Sequence, residues 1–164
     1  LHDIARTCMT FGVEMCYIVT PLPKQRQIAQ SLIDHWLTGY GRTYNRRRGE
    51  ALEKIALATG LDEVLARMAA LGTPLVIGTS SRARGKKTVG YGAVSGLLQE
   101  EGRPGLLLFG TGWGLTDETL DLCEAMLEPI AGKTGYNHLS LRVAVGITLD
   151  RIFGQRGGDY ERND

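Results

Sequence analysis

The chain has 164 residues, of which 43% are hydrophobic and 23% charged, a composition typical of one globular domain with its own core. No apolar run reaches about 18 residues and no secretory signal is visible, so we expect neither a membrane span nor secretion. The net charge of +1 is too small to indicate nucleic-acid binding by itself, which leaves the distribution of charge to be considered.

Six segments are predicted in the first half of the chain. In order they are a helix at 1–11, a buried strand at 15–19, an amphipathic helix at 24–38, a polar arginine-rich loop at 39–49, and helical stretches at 50–58 and 62–71. The helix at 24–38 has the clearest apolar stripe, which includes Ile33 and Trp36.

Seven segments are predicted in the second half. They are a strand at 74–79, a flexible basic loop at 80–87, a weak helix at 89–100, a strand at 106–109, a short helix at 116–122, a strand at 125–130 and a helix at 137–153. Thr116 is expected to cap the short helix. The last helix is apolar on almost every side, so it is either buried all round or part of a subunit interface.

Apolar strands alternate with helices, and this pattern predicts an α/β fold with a parallel sheet and helices on both faces. No repeat or linker divides the chain, so residues 1–154 form one predicted domain. The polar residues 155–164 are expected to form a flexible tail.

The three cysteines (Cys8, Cys16 and Cys123) lack metal-ligand spacing and do not form a disulfide framework. We therefore predict buried thiols, no metal site and a cytoplasmic location. Basic residues cluster at 42–48 and at 82–87, and such clusters either contact phosphates or form solvated loops.

The sharpest chemical signal is a glycine-rich loop, Gly110–Gly114, that directly follows a strand. Such a loop lets a ligand approach the backbone, and Glu128 lies where a ribose-binding carboxylate would sit in a dinucleotide-binding fold. The helix that follows is too short for a full crossover, Pro129 turns the chain, and the loop comes late in the sequence. A Rossmann-type NAD enzyme is therefore the weaker interpretation.

Three longer segments carry a family pattern. They are Leu1–Gly12 (LHDIARTCMTFG), Leu106–Leu115 (LLLFGTGWGL) and Leu127–Ile147 (LEPIAGKTGYNHLSLRVAVGI). In this order they resemble the three motifs of the SPOUT class of SAM-dependent RNA methyltransferases. The run Tyr136–Ser140 is similar to a bacterial subfamily of predicted RNA methyltransferases, some of whose members are fused to tRNA guanine-N1 methyltransferase.

The resemblance implies a C-terminal trefoil knot, S-adenosyl-L-methionine (SAM) as cofactor, a tRNA or rRNA substrate and a homodimer. It implies methyl transfer to a ribose oxygen or a base nitrogen. A strand usually precedes the first motif, so we expect one more strand before Leu1. A SPOUT-like module that binds SAM and RNA without catalysis is the alternative function.

The resemblance also implies a cofactor pocket lined by loops. Its predicted residues are Thr79, Ser80, Gly110, Thr111, Gly112, Gly114, Glu128, Ile130, Gly132 and Leu139. Each glycine taken alone is more consistent with a tight turn, but three converging loops indicate a pocket.

The predicted catalytic residues are Arg6, Asn137 and His138. Arg6 matches the motif arginine that relatives use near the target phosphate or ribose, and in a dimer it would serve the partner's cofactor. Either Asn137 or His138 takes the role of the family's asparagine. In its catalytic role His138 would act as a base. The structural alternatives are an ordinary surface arginine at Arg6, a His138 that caps the last helix, and N-terminal caps at Asn137 and Ser140. Trp113 either stacks on a base or shields the loop.

Overall fold

The structure is a computed structural model that describes residues 1–81 and 87–155, without the side chains of residues 99–101. Most of the predicted basic loop and nearly all of the predicted tail lie outside the described residues. Eight helices are described: α1 (His2–Thr10), α2 (Pro23–Leu37), α3 (Tyr40–Tyr44), α4 (Arg46–Leu52), α5 (Leu61–Met68), α6 (Tyr91–Glu101), α7 (Asp117–Asp121) and α8 (Leu141–Phe153). A short 3-10 helix, Ala69–Leu71, follows α5.

Six strands are described, and every pair is parallel. They are β1 (Cys16–Val19), β2 (Ile55–Ala58), β3 (Leu75–Gly78), β4 (Thr88–Val89), β5 (Gly105–Leu108) and β6 (Ala125–Leu127). β1 and β2 form one sheet in the register Cys16 to Ile55, and the other four strands form a second sheet in the order β4-β6-β3-β5. The predicted parallel α/β arrangement is confirmed, although the strands divide into two sheets.

Alternate residues of β3 show that helices cover both faces of the larger sheet. Leu75 and Ile77 belong to a buried cluster with residues of α6 and α8, such as Val94 and Ile152. Val76 belongs to a different cluster, which contains Leu120 of α7 and partly buried residues of α5. Because successive strand residues point to opposite faces, the central strand is buried on both sides.

The first helix connects the two halves of the molecule. α1 packs against both α4 and α8. Its Ala5 lies in a buried cluster with Leu52 of α4, while its Cys8 lies in a cluster with Val145 and Leu149 of α8. The apolar residues of the first motif therefore pack α1 against both α4 and α8.

Two predictions in the first half are wrong. The predicted loop 39–49 contains α3 and most of α4, and α4 begins at a cap where the Asn45 side chain accepts a hydrogen bond from the Arg48 amide at 3.1 Å. The predicted helix at 50–58 ends early, and Ile55–Ala58 is a strand because it pairs in parallel with β1. A four-residue apolar run is ambiguous in sequence, and tertiary pairing decides its conformation.

Further details differ from the prediction, and β6 ends at Leu127 rather than at 130. β1 is only partly buried, and its last residue, Val19, is exposed. The last helix begins at Leu141 rather than at 137, with Ser140 at the N-cap position. The four residues before α8 are therefore available to line a cavity. No helix among the described residues is long and apolar enough to cross a membrane.

Candidate active site

A cleft of about 640 Å³ opens where β3, β5 and β6 end. The carboxyl ends of parallel strands meet at one edge of a sheet, so the loops after these strands converge there. The loop before α8 and the first turns of α8 itself complete the walls, through residues that include Leu141, Ala144 and Thr148. A cleft of this size falls within the range of small-molecule sites.

The glycine-rich loop after β5 forms one wall. The Gly114 amide donates a hydrogen bond to the Thr111 carbonyl at 3.0 Å, and the two residues also form an isolated antiparallel bridge. Gly112 between them has a φ of 54°, in the left-handed region that favours glycine. A Cβ on Gly110 would overlap the backbone of Gly114. The loop is thus a tight, folded-back turn whose backbone lies open to the cleft.

The wall after β3 is fixed to its neighbour by Thr79. Both its amide and its hydroxyl donate to the Leu108 carbonyl, at 3.0 and 2.8 Å. This pair of bonds extends the β3–β5 ladder by one residue. Ser80 and Ser81, which line the cleft, therefore follow a residue whose backbone is held in place by hydrogen bonds.

The wall after β6 is fixed by Glu128 and Tyr91. The Glu128 amide donates to the Val89 carbonyl at 3.0 Å, and the Tyr91 hydroxyl donates to the Glu128 carbonyl at 2.8 Å. Burial raises the pKa of Tyr91, so its hydroxyl keeps its proton and acts as a donor. The Arg151 guanidinium lies 4.9 Å from the centre of the Tyr91 ring.

The loop before α8 closes the cleft. The Asn137 side-chain amide donates to the Ser81 carbonyl at 2.9 Å, which connects this loop to the wall after β3. His138 is exposed and its ring meets that of Tyr136 edge-on, with centroids 5.5 Å apart. Neither residue caps α8, because the helix starts at Leu141, and Ser140 at the N-cap position accepts no side-chain capping bond.

The cleft brings together most of the predicted site residues. Those that line it are Thr79, Ser80, Gly110, Thr111, Gly112, Gly114, Glu128, Ile130, Asn137, His138 and Leu139. Gly132 and Arg6 are not among the lining residues. Trp113, which sequence reasoning left between two roles, lines the cleft and is fully exposed.

Several lining residues were missed by sequence reasoning. They are Ser81, Tyr91, Phe109, Leu127, Leu141, Ala144 and Thr148. Phe109 and Leu127 adjoin predicted residues and were assigned only to strands. Tyr91 begins a weakly amphipathic helix, and nothing in the neighbouring sequence marks it as a site residue. It reaches the site because its hydroxyl bonds the Glu128 carbonyl, which is distant in sequence.

Arg6 lies on the exposed side of α1. One turn before it, the Asp3 carboxylate pairs with the Arg142 guanidinium at 3.3 Å, and this exposed pair connects α1 to the first turn of α8. Arg6 is therefore on the helix that packs against α8, outside the cleft of its own chain.

The cleft fits a nucleoside-bearing cofactor such as SAM. Phe109, Leu127 and Ile130 supply apolar surface for a base, and the loop backbones supply hydrogen-bonding groups. Glu128 lines the same wall, and a carboxylate suits ribose hydroxyls or an ammonium group. Within 1–81 and 87–155, no group of three His, Cys, Asp or Glu side chains is placed to hold a metal ion.

Comparison with known proteins agrees with this geometry. A family model described as SAM-dependent RNA methyltransferase matches residues 1–154. The chain is 41% identical over 159 residues to a tRNA (guanine-N(1)-)-methyltransferase from Nitratidesulfovibrio vulgaris, and this match covers 94% of the chain. The chain spans only 36% of the length of that relative.

Solved structures show the same fold. TrmJ from Z. mobilis superposes with a TM-score of 0.62 at 19% identity, over 94% of this chain and 63% of that one. A SpoU methyltransferase from Streptomyces viridochromogenes, in complex with AdoMet, gives a TM-score of 0.59 at 17% identity, over 93% and 51% of the two chains. The family model that spans residues 1–154 favours the methyltransferase interpretation over the dinucleotide one. The chain therefore belongs to the SAM-dependent RNA methyltransferases.

Proposed function

We propose that SAM binds in the cleft and that the chain transfers its methyl group to a tRNA or rRNA. The observation that carries this proposal is the convergence of three backbone-rich walls, after β3, β5 and β6, on one cleft of about 640 Å³. SAM, when bound, supplies an electrophilic methyl group, so catalysis depends mainly on aligning the acceptor. The name of the bacterial relative supports tRNA as the first substrate to test.

The chain's own residues then divide into three tasks. The loop Gly110–Gly114 and the segment around Glu128 and Ile130 hold the cofactor through backbone and apolar contacts. Asn137 keeps the closing loop against Ser81. His138 lies at the exposed rim, where its imidazole is a candidate general base for the acceptor group.

Trp113 lines the cleft from the glycine-rich loop. Its side chain is fully exposed although it is a large aromatic residue at the tip of the cofactor loop. Exposed aromatic faces beside a reactive site stack on unpaired bases. We therefore propose that Trp113 holds the base next to the methyl donor rather than shielding the loop.

A homodimer would explain the position of Arg6. Met9 on α1 and Val143 on α8 are exposed apolar residues on two neighbouring helices. A two-fold interface through these helices would bring Arg6 of one chain toward the cleft of the other, where its guanidinium holds a phosphate of the RNA. The trefoil knot expected for the C-terminal segment belongs to the same proposal.

The deciding experiment is transfer of radiolabelled methyl groups from SAM to RNA from cells that lack the protein. Labelled tRNA or rRNA, and no labelling of RNA from wild-type cells, is the expected result. SAM binding without transfer to any RNA would favour the non-catalytic module instead.

A further inference from the structure

A second surface, outside the cleft, concentrates positive charge and aromatic rings. It consists of residues 40–48 on α3 and α4, and we call it the arginine–tyrosine surface. Four arginines (Arg42, Arg46, Arg47 and Arg48) lie there, with Glu50 as the nearest carboxylate in the sequence, although the whole chain has a net charge of only +1. The positive charge is therefore concentrated in this segment.

Two tyrosines stand beside these arginines. Tyr40 and Tyr44 are 76% and 74% exposed, and their rings are stacked with centroids 6.5 Å apart and planes 24° from parallel. One helical turn separates them, so both rings project from the same face of α3. Two adjacent exposed rings next to guanidinium groups match the composition of surfaces that bind unpaired nucleotides.

The scaffold holds this surface in a fixed shape. A Cβ on Gly41 would lie 2.7 Å from the Trp36 ring, so glycine lets α3 pack directly on α2. The Arg48 guanidinium lies 4.6 Å from the centre of the same ring. The Asn45 cap fixes the turn between α3 and α4. Such fixed groups lose little conformational freedom when a ligand binds.

Three of the four arginines (Arg42, Arg46 and Arg47) are exposed. The Arg46 side chain is 87% exposed although it pairs with Glu50 at 3.0 Å. An ion pair so open to solvent is weak, so a phosphate can take the place of the carboxylate. A groove of about 250 Å³ between α2 and α4, lined by residues that include Arg42 and Arg46, adjoins these side chains.

We propose that the arginine–tyrosine surface binds an unpaired segment of the substrate RNA, with the tyrosines stacked on bases and the arginines on phosphates. This inference rests on the proposed function, because it assigns a second contact to the same substrate. α1 packs against α4, which carries part of the surface, and also against α8, which borders the cleft. The surface and the cleft therefore belong to elements that share one neighbouring helix.

The charge contribution is tested with a matched pair of variants. Arg47 and Lys24 are both exposed and both occupy the second position of a helix, so Arg47→Glu and Lys24→Glu change charge equally in the same helix context. Fluorescence anisotropy with a labelled single-stranded RNA and with an unmodified tRNA transcript gives the dissociation constants at several salt concentrations. We expect Arg47→Glu, but not Lys24→Glu, to weaken RNA binding and to make the dissociation constant less dependent on salt concentration.

The aromatic contribution is tested with a double substitution. Replacing Tyr40 and Tyr44 together by Ala should weaken RNA binding by roughly 5- to 150-fold for each stacked base that is lost, whereas the double Phe variant should bind nearly as well as wild type. SAM affinity should be unchanged in all variants, which also shows that they fold.

Three results would overturn the inference. The first is that wild type binds neither RNA. The second is that Arg47→Glu and Lys24→Glu reduce RNA affinity equally. The third is that the double alanine variant changes the oligomeric state but not the RNA affinity. The last result would make the surface a protein interface. A chain that binds RNA through this surface but does not bind SAM would instead contradict the proposed function alone.

Discussion

The side-chain amide of Asn137 donates a hydrogen bond to the carbonyl oxygen of Ser81 across 2.9 Å, although 56 positions separate the two residues. The bond joins the loop before α8 to the loop after β3, on two sides of the cleft. Asn137→Ala removes the donor, and Asn137→Asp places a carboxylate against the carbonyl oxygen. We therefore expect calorimetry to show SAM affinity falling about 5- to 10-fold for Ala and further for Asp. Wild-type affinity in both variants would show that the bond does not close the site.

Arg6 should affect transfer and not cofactor binding. It lies outside the cleft of its own chain, so Arg6→Ala is expected to leave SAM affinity near that of wild type while methyl transfer to RNA falls by at least about 100-fold. Lys24→Ala is the control, because it removes an exposed positive charge from the first turn of α2, outside α1 and α8, and should leave transfer largely intact. A loss of SAM affinity in Arg6→Ala would place Arg6 in the cofactor site.

His2 should make stability depend on pH below neutrality. Its Nδ1 is buried and has no hydrogen-bond partner among the described residues, and its ring meets Trp36 edge-on at 5.4 Å. Burial, followed by the charge of Arg48, lowers the pKa of His2 from its ordinary value of 6.5.

The folded protein therefore favours neutral His2. Its contribution to stability is complete above pH 6.5 and declines as the pH falls from 6.5 to the lower pKa of the folded state, because the unfolded chain takes up the proton first. Urea unfolding of wild type and His2→Phe at a series of pH values measures this. The free energy of unfolding of His2→Phe should depend less on pH than that of wild type. The same pH dependence in both proteins would contradict the role given to His2.

The proposed dimer depends on the exposed apolar residues of α1 and α8. Val143→Asp puts a charge into that interface, so sedimentation should show a wild-type dimer and a monomeric variant. Ile28→Asp is the control, because Ile28 is also a β-branched, exposed apolar residue on a helix, but lies on α2. If Val143→Asp and Ile28→Asp had the same oligomeric state, α8 would not be part of the interface.

The sequence predicts the cofactor loop well because the signal there is local. Gly110, Gly112 and Gly114 follow an apolar strand directly, and their backbone conformation and close approach need glycine. The sequence does not predict Tyr91 in the site, because its hydroxyl bonds a carbonyl 37 residues away. Contacts of that kind depend on how strands are ordered in the sheet.

The region between α2 and β2 was the least predictable part of the fold. Its arginines and glycines are typical of a loop, but Gly41 and Gly49 allow close packing against Trp36, and this tertiary contact stabilises two short helices. β2 is equally hard to predict, because the run Ile55–Ala58 is too short to show a hydrophobic periodicity that separates strand from helix. Gly132, predicted from the sequence as a cofactor contact, does not line the cleft and is therefore not part of the proposed cofactor site.

The most direct test of the account is calorimetric titration of SAM into wild type, Gly110→Ala and Gly132→Ala. A methyl group on Gly110 overlaps the Gly114 backbone, whereas Gly132 has nothing within 4 Å of such a group and does not line the cleft. We expect one SAM per chain in wild type, unchanged affinity in Gly132→Ala, and at least roughly tenfold weaker binding in Gly110→Ala at similar thermal stability. Equal affinity in all three proteins would contradict the claim that SAM occupies this cleft.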